Sequence, residues 1–166
     1  MTQTPSSPAN WTPGASIGTS AWLRLDQARI TAFGALTDDL EPLHTDPDWC
    51  RAHSPVGRTM AYGFLTLSML TSFFHEVSDN ALAGTTQAAS YPLNYGFDRI
   101  RFVSPVPVDS RIRAHFTLLE RRGRHDGELL RMAVLVEIEG EARPALTAEW
   151  LTLWVAGSPA APAADA

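Results

Sequence analysis

Ala61-Tyr-Gly-Phe-Leu-Thr-Leu-Ser-Met-Leu-Thr-Ser-Phe-Phe-His-Glu-Val77 is the stretch on which the fold turns. Phe64, Leu67, Leu70, Phe74 and Val77 recur at steps of three and four, the spacing of one helix face. Leu65, Met69 and Phe73 fall off that stripe, so the helix is apolar around most of its circumference and is expected to be buried. After Asn80 the period changes to two. Ala88 to Val103 reads as one long strand or a bent pair. Residues 111–119 place Ile112, Ala114, Phe116 and Leu118 on one face, with Arg111, Arg113, His115 and Thr117 on the other. Residues 129–138 alternate again, with Leu130, Met132, Val134, Val136 and Ile138 facing one way. Arg121–Gly127 and Gly140–Pro144 read as turns, and Leu146–Val155 as the last strand. Consecutive strands with short turns predict an antiparallel sheet. One buried helix against such a sheet is an α+β arrangement.

Upstream of the helix the pattern is mixed. Ala21–Leu25 reads as a short strand. Asp26 is placed to cap a helix running to about Leu36, with Ile30 and Phe33 on one face. Asp46-Pro47 combines a capping carboxylate with proline at the first helical position, and predicts a short helix to about His53. Ser54-Pro-Val-Gly57 ends it. Residues 1–15 and 157–166, rich in Pro, Ser, Thr and Ala, are expected to be disordered. The span 16–156 is then a single domain, in keeping with a length of 166 residues.

Composition narrows the function classes. No apolar run approaches the roughly 20 residues needed to cross a bilayer. The N-terminus has neither a basic start nor an apolar core, so no secretory signal is expected. The one cysteine, Cys50, precludes an internal disulfide and fits a reducing, cytoplasmic setting. The formal charge is −5 and the 13 basic residues are all arginine, which excludes Schiff-base catalysis by a lysine side chain. The arginines are dispersed through an acidic chain, so neither nucleic acid nor membrane is an expected partner. His53, His75, His115 and His125 show no metal-ligand spacing, and no metal is expected.

The chemistry concentrates in Asp38-Asp-Leu-Glu-Pro-Leu-His-Thr-Asp-Pro47. Asp39 and His44 lie five residues apart on a loop stiffened by Pro42. A carboxylate and an imidazole so placed are a candidate acid/base pair for handling a water proton. The spacing alone is common, and a turn aspartate and a satisfied loop histidine are the plain alternatives.

Three stretches resemble the MaoC-like hotdog dehydratases, and in particular their NodN-like branch. The first is Asp38–Pro47, similar to the hydratase motif Gly-Asp-x-Asn/Gln-Pro/Trp-Ile/Leu-His. The second is Ser54–Ser68, similar to the family's approach to its central helix. The third is Asn94-Tyr-Gly-Phe-Asp-Arg-Ile-Arg-Phe-Val-Ser-Pro-Val-Pro-Val108. The resemblance implies a hotdog fold, an antiparallel sheet wrapped around a long central helix. It also implies addition of water to, or its elimination from, the 2,3 bond of an acyl thioester carried on coenzyme A or an acyl carrier protein, with no other cofactor. It implies at least a homodimer. Asp39 and His44 then match the catalytic pair. Gly63 matches the glycine whose N–H, at the positive end of the central helix, serves as an oxyanion donor.

This chain departs from the motif in three places. Asp38 stands for the glycine, Glu41 for the Asn or Gln, and Tyr62 for the histidine before Gly63. Glu41 is a site residue or a surface charge. Tyr62 is a wall of the site or a proton donor. Ser68 and Thr71 lie further along the helix, where a hydroxyl reaches either the site or the preceding turn's carbonyl. Arg58, Arg99, Arg101, Arg111 and Arg113 are candidates for coenzyme A phosphates or for the wet face of the sheet. The departures leave open a tailoring dehydratase or isomerase acting on a carrier-bound or cyclic substrate. A non-catalytic acyl-thioester binding protein and a thioesterase are the remaining readings.

Overall fold

The computed structural model describes residues 11–78 and 91–155. It contains six strands and four helices in chain order: β1 Ser16–Thr19, β2 Leu23–Arg24, α1 Gln27–Thr37, α2 Pro42–Thr45, α3 Pro47–His53, α4 Gly63–Ser78, β3 Tyr91–Phe102, β4 Arg111–Arg124, β5 Gly127–Ile138 and β6 Leu146–Val155. The strands form one antiparallel sheet in the order β1-β4-β5-β6-β3, with β2 also on β4.

The alternation expected of the strands holds. Ile112, Ala114, Phe116 and Leu118 on β4, and Leu130, Met132 and Val136 on β5, are fully buried. They meet α4 through Phe74, whose ring contacts Phe116 and Trp150, each at 5.4 Å, and Trp11 at 5.8 Å. The other face of the sheet is a lattice of cross-strand ion pairs: Arg111–Glu139, Arg113–Glu137 and Arg99–Glu149, each at 2.8 Å. Of the arginines considered for phosphate binding, three are therefore engaged on the wet face.

Three differences from the sequence reading have physical causes. Phe64, assigned to the buried stripe of α4, is 68% exposed. The buried face is Leu65, Thr66, Leu70, Phe73 and Phe74, because the sheet covers only one side of the helix. The turn expected over 121–127 shrinks to His125-Asp126, because Arg121 pairs with Glu128 at 2.6 Å and carries the ladder onward. Residues 11–15, expected to be disordered, are held to the sheet by Trp11 and by backbone hydrogen bonds. Trp11 is buried in the core, Gly14 N–H donates to Leu118 O at 2.7 Å, and β1 follows directly. Residues 1–10, the whole tail 157–166 and the start of the strand expected from Ala88 lie outside the described residues.

Candidate active site

Capping brings Asp39 and His44 to their places. Asp26 opens α1 by accepting from the Arg29 N–H at 2.9 Å. The helix ends at Asp38, which adopts a left-handed conformation at φ 56°, ψ 23°. This is a position where glycine is the common choice and Asp is among the better-tolerated alternatives. The replacement of the family glycine by Asp38 is thus a backbone matter, and Asp38 is exposed. The Asp39 N–H then donates to Gly34 O at 3.0 Å, and Asp39 Oδ1 accepts the Glu41 N–H at 3.3 Å. Glu41 caps α2, a single turn opened by Pro42, and its carboxylate makes no capping bond.

His44 is held on every side. Its N–H donates to Glu41 O at 2.9 Å. Its carbonyl accepts Gln27 Nε2 at 2.8 Å, and the Gln27 amide oxygen accepts the hydroxyl of buried Thr59. Its ring Nδ1 lies 2.7 Å from Met60 O. A carbonyl can only accept, so Nδ1 carries the proton, and in the neutral ring Nε2 keeps a free lone pair. Met60 is fixed in turn: its N–H reaches Leu43 O at 3.2 Å, and Ala61 N–H reaches Val106 O at 2.8 Å.

His44 lines a cavity of about 340 Å³ with Gly63, Thr66, Phe102, Val103 and Ser104. Gly63 is the first residue of α4, where backbone N–H groups have no partner within the helix and the dipole is positive. Phe102 packs closely enough that a Cβ on Gly63 would meet its ring at 3.1 Å. Asp39 is exposed, and neither it nor Tyr62 lines this cavity.

Tyr62 is buried, and its hydroxyl donates to Asp39 O at 2.5 Å. Its ring lies against the His44 imidazole, centroid to centroid 3.8 Å, at 33°. Burial, and after it the charges of Asp39 and Glu41, push the phenol above its ordinary range, so it stays a donor at neutral pH.

Of the two helix hydroxyls considered, Ser68 takes the backbone alternative. Ser68 bonds back to Phe64 O at 2.7 Å. Thr71 is exposed and lines a separate small cleft with His75 and Trp150, so it does not belong with His44. Of the α4 hydroxyl residues, Thr66, three residues after Gly63 and on its face, lines the cavity, its Oγ1 donating back to Tyr62 O at 3.3 Å. Helical spacing from Gly63 was the signal that could have found it. Arg143, also not anticipated, donates to the backbone carbonyl of Val103, a lining residue, at 3.3 Å.

A larger hollow of about 740 Å³ lies on the wet face of the sheet, between Arg99, Arg101 and His115. Asp39, His44, Tyr62 and Gly63 do not line it. His115 there is tied to Glu137 at 2.7 Å and Thr19 at 3.0 Å in cross-strand pairing. The chemistry, not the size, assigns the site to the smaller cavity. Among the described residues no cluster of three or more His, Cys, Asp or Glu side chains is arranged to hold a metal ion.

The start of α4 and the His44 imidazole thus open onto one cavity beside the antiparallel sheet. A protein-family model described as MaoC like domain matches residues 8–139. The chain belongs to the MaoC-like family. This MaoC-like protein is 40% identical over 141 residues to Nodulation protein N of Rhizobium meliloti (strain 1021), covering 84% of each chain. It is 34% identical over 144 residues to 3-hydroxyacyl-thioester dehydratase Z of Mycobacterium tuberculosis, covering 86% of this chain and 91% of that one. Among solved structures, the (R)-hydratase from A. caviae involved in PHA biosynthesis superposes with a TM-score of 0.67 at 22% identity, over 87% of this chain and 97% of that one. The fold of the MaoC-like protein is therefore the hotdog fold.

Proposed function

We propose that this MaoC-like protein is a hydro-lyase that adds water to, or removes it from, the 2,3 bond of an acyl thioester. The observation that carries the reading is the fixed tautomer of His44: with Nδ1–H held by Met60, the Nε2 lone pair is available as a base in the cavity that Gly63 borders. In hydration, Asp39 and His44 hold the water and take its proton as oxygen bonds to C3. The electrons of the double bond move onto the thioester oxygen, which the Gly63 N–H and the start of α4 stabilise. The enolate then collapses as C2 takes a proton. Dehydration is the reverse. The 3-hydroxyacyl-thioester dehydratase of M. tuberculosis supports the reaction class.

The thioester carrier is coenzyme A or an acyl carrier protein in this reading, with Arg143, bonded to the lining residue Val103, as the candidate to meet a phosphate. No helix of the described residues is long and apolar enough to cross a membrane. The cytoplasmic setting is part of the proposal, consistent with the buried free thiol of Cys50. So is a homodimer or higher homo-oligomer. β3 lies at the edge of the sheet with Tyr91, Leu93, Tyr95 and Phe102 exposed, next to the exposed face of α4 at Phe64. Among the described residues no strand pairs with this edge, and an apolar edge of this kind calls for a partner.

The test is loss of enoyl-thioester absorbance with a series of trans-2-enoyl-CoAs, with Asp39→Asn as control. Turnover that depends on Asp39 is expected. A folded protein inactive on both CoA-linked and carrier-linked enoyl groups would remove the hydro-lyase reading.

A further inference from the structure

We propose that Tyr62 is the positioning residue of the site: it locks the loop that carries Asp39 against the imidazole of His44, and Gly34 is the residue that makes room for it. The proposal rests on the reading of Asp39 and His44 as the acid/base pair.

Asp39 and His44 share no hydrogen bond among those the described residues make, and Asp39 sits on an exposed loop at the end of α1. An acid/base pair must nonetheless keep a fixed separation, because a misplacement of about 1 Å can cost on the order of a hundredfold in rate. One side chain touches both elements. The Tyr62 hydroxyl bonds the Asp39 carbonyl at 2.5 Å, and the face of the same ring lies 3.8 Å from the His44 ring. Tyr62 is itself rigid. It is buried, its ring packs on Phe33 at 5.3 Å, and its carbonyl accepts the Thr66 N–H at 3.1 Å as α4 begins. It thus refers Asp39, His44 and the oxyanion end of the helix to one frame.

Gly34 completes the device. It is buried in the last turn of α1, and a Cβ there would run into the Tyr62 hydroxyl and come within 2.6 Å of Asp39 O. Glycine inside a helix is unfavourable, so its presence at this contact is explained by the close approach of the tyrosine. A histidine at position 62, the residue of the family motif, would place its ring nitrogens differently and could not carry a hydroxyl to this carbonyl.

Tyr62→Phe removes the hydroxyl and keeps the ring against His44. Tyr62→Leu removes both. Steady-state hydration of an enoyl-CoA is measured for each, alone and combined with Asp39→Asn. The expected result for Tyr62→Phe is a kcat about tenfold lower with KM within about twofold of the parent, since alignment rather than binding is lost. Tyr62→Leu should lose more. In the Asp39→Asn background, Tyr62→Phe should cost less than about twofold, because a residue acting through Asp39 has nothing left to align. A general loosening of the fold would lower both backgrounds alike. Parental kcat in Tyr62→Phe, or the same loss with and without Asp39, overturns the role of Tyr62 and leaves the reaction intact. Full activity in Asp39→Asn itself overturns the reading of Asp39, and the positioning role with it.

Discussion

Gly63→Ala separates chemistry from stability at the position where the site is tightest. The added methyl would stand 3.1 Å from Cδ1 and Cε1 of Phe102 and 3.3 Å from its Cγ. Carbon atoms pack best at roughly 3.5–4.0 Å, so the ring must retreat by a few tenths of an ångström. It can do so, because Phe102 is 49% exposed and packs edge-on against Phe64, itself exposed. Against this small cost, alanine is favoured over glycine in a helix by up to about 1 kcal/mol, less at its first residue. The stability of Gly63→Ala should therefore stay within about 1 kcal/mol of the parent. Turnover should not. The methyl enters a cavity of about 340 Å³ beside the N–H assigned to the thioester oxygen. Removing an oxyanion donor outright costs about a hundred- to a thousandfold. Here the N–H remains and only the approach is blocked, so a loss of roughly ten- to a hundredfold is expected. Enoyl-CoA hydration and urea unfolding of the same preparation measure the two quantities. Parental turnover in a folded Gly63→Ala would show that the thioester oxygen does not sit at the start of α4.

Asp38→Gly should raise stability by up to about 1 kcal/mol, read as a higher unfolding midpoint with unchanged turnover, because it relieves the left-handed backbone at φ 56°. Lowered turnover would instead give the Asp38 carboxylate a part in the reaction. Hydrogen bonds from Arg113, and then His115, hold the Glu137 carboxyl below the usual glutamate range, so its stabilisation is complete above the ordinary value and is lost as pH falls through the lower folded one. Glu137→Gln should thus be less stable than the parent at pH 7, with the gap closing below about pH 4, followed by urea unfolding across that range. A gap that stays constant would contradict the ion pair. Burial, with Asp46 adding to it, pushes the Cys50 thiol up, and its Sγ points at the carbonyls of Pro42 and Leu43. A thiol reagent should react slowly with the native protein and fast in denaturant; rapid native reaction would mean that the α2–α3 corner opens readily.

Local physics made much of this chain readable. The period-two runs on β4 and β5 specify which side of each strand is buried, whatever it packs against. Asp26 and Asp46 capped the helices assigned to them, since a cap acts within three residues. The Asp39, His44 and Gly63 motifs were legible through the resemblance to the family, since the spacing of Asp39 and His44 alone is common. Tertiary structure alone decided what depends on residues meeting across long sequence gaps. The amphipathic pattern of α4 did not reveal that Phe64 faces outward, because the sheet covers only one side of it. Nor did it choose Thr66 over Thr71 for the cavity. The sequence offered no reason for Trp11 to be core or for Gln27 to hold the His44 carbonyl. Above all, it left Tyr62 as either a wall or a donor. Its partners, Asp39 and His44, lie 23 and 18 positions upstream, and only the docking of α1 and α2 against the start of α4 brings a hydroxyl to one and a ring face to the other.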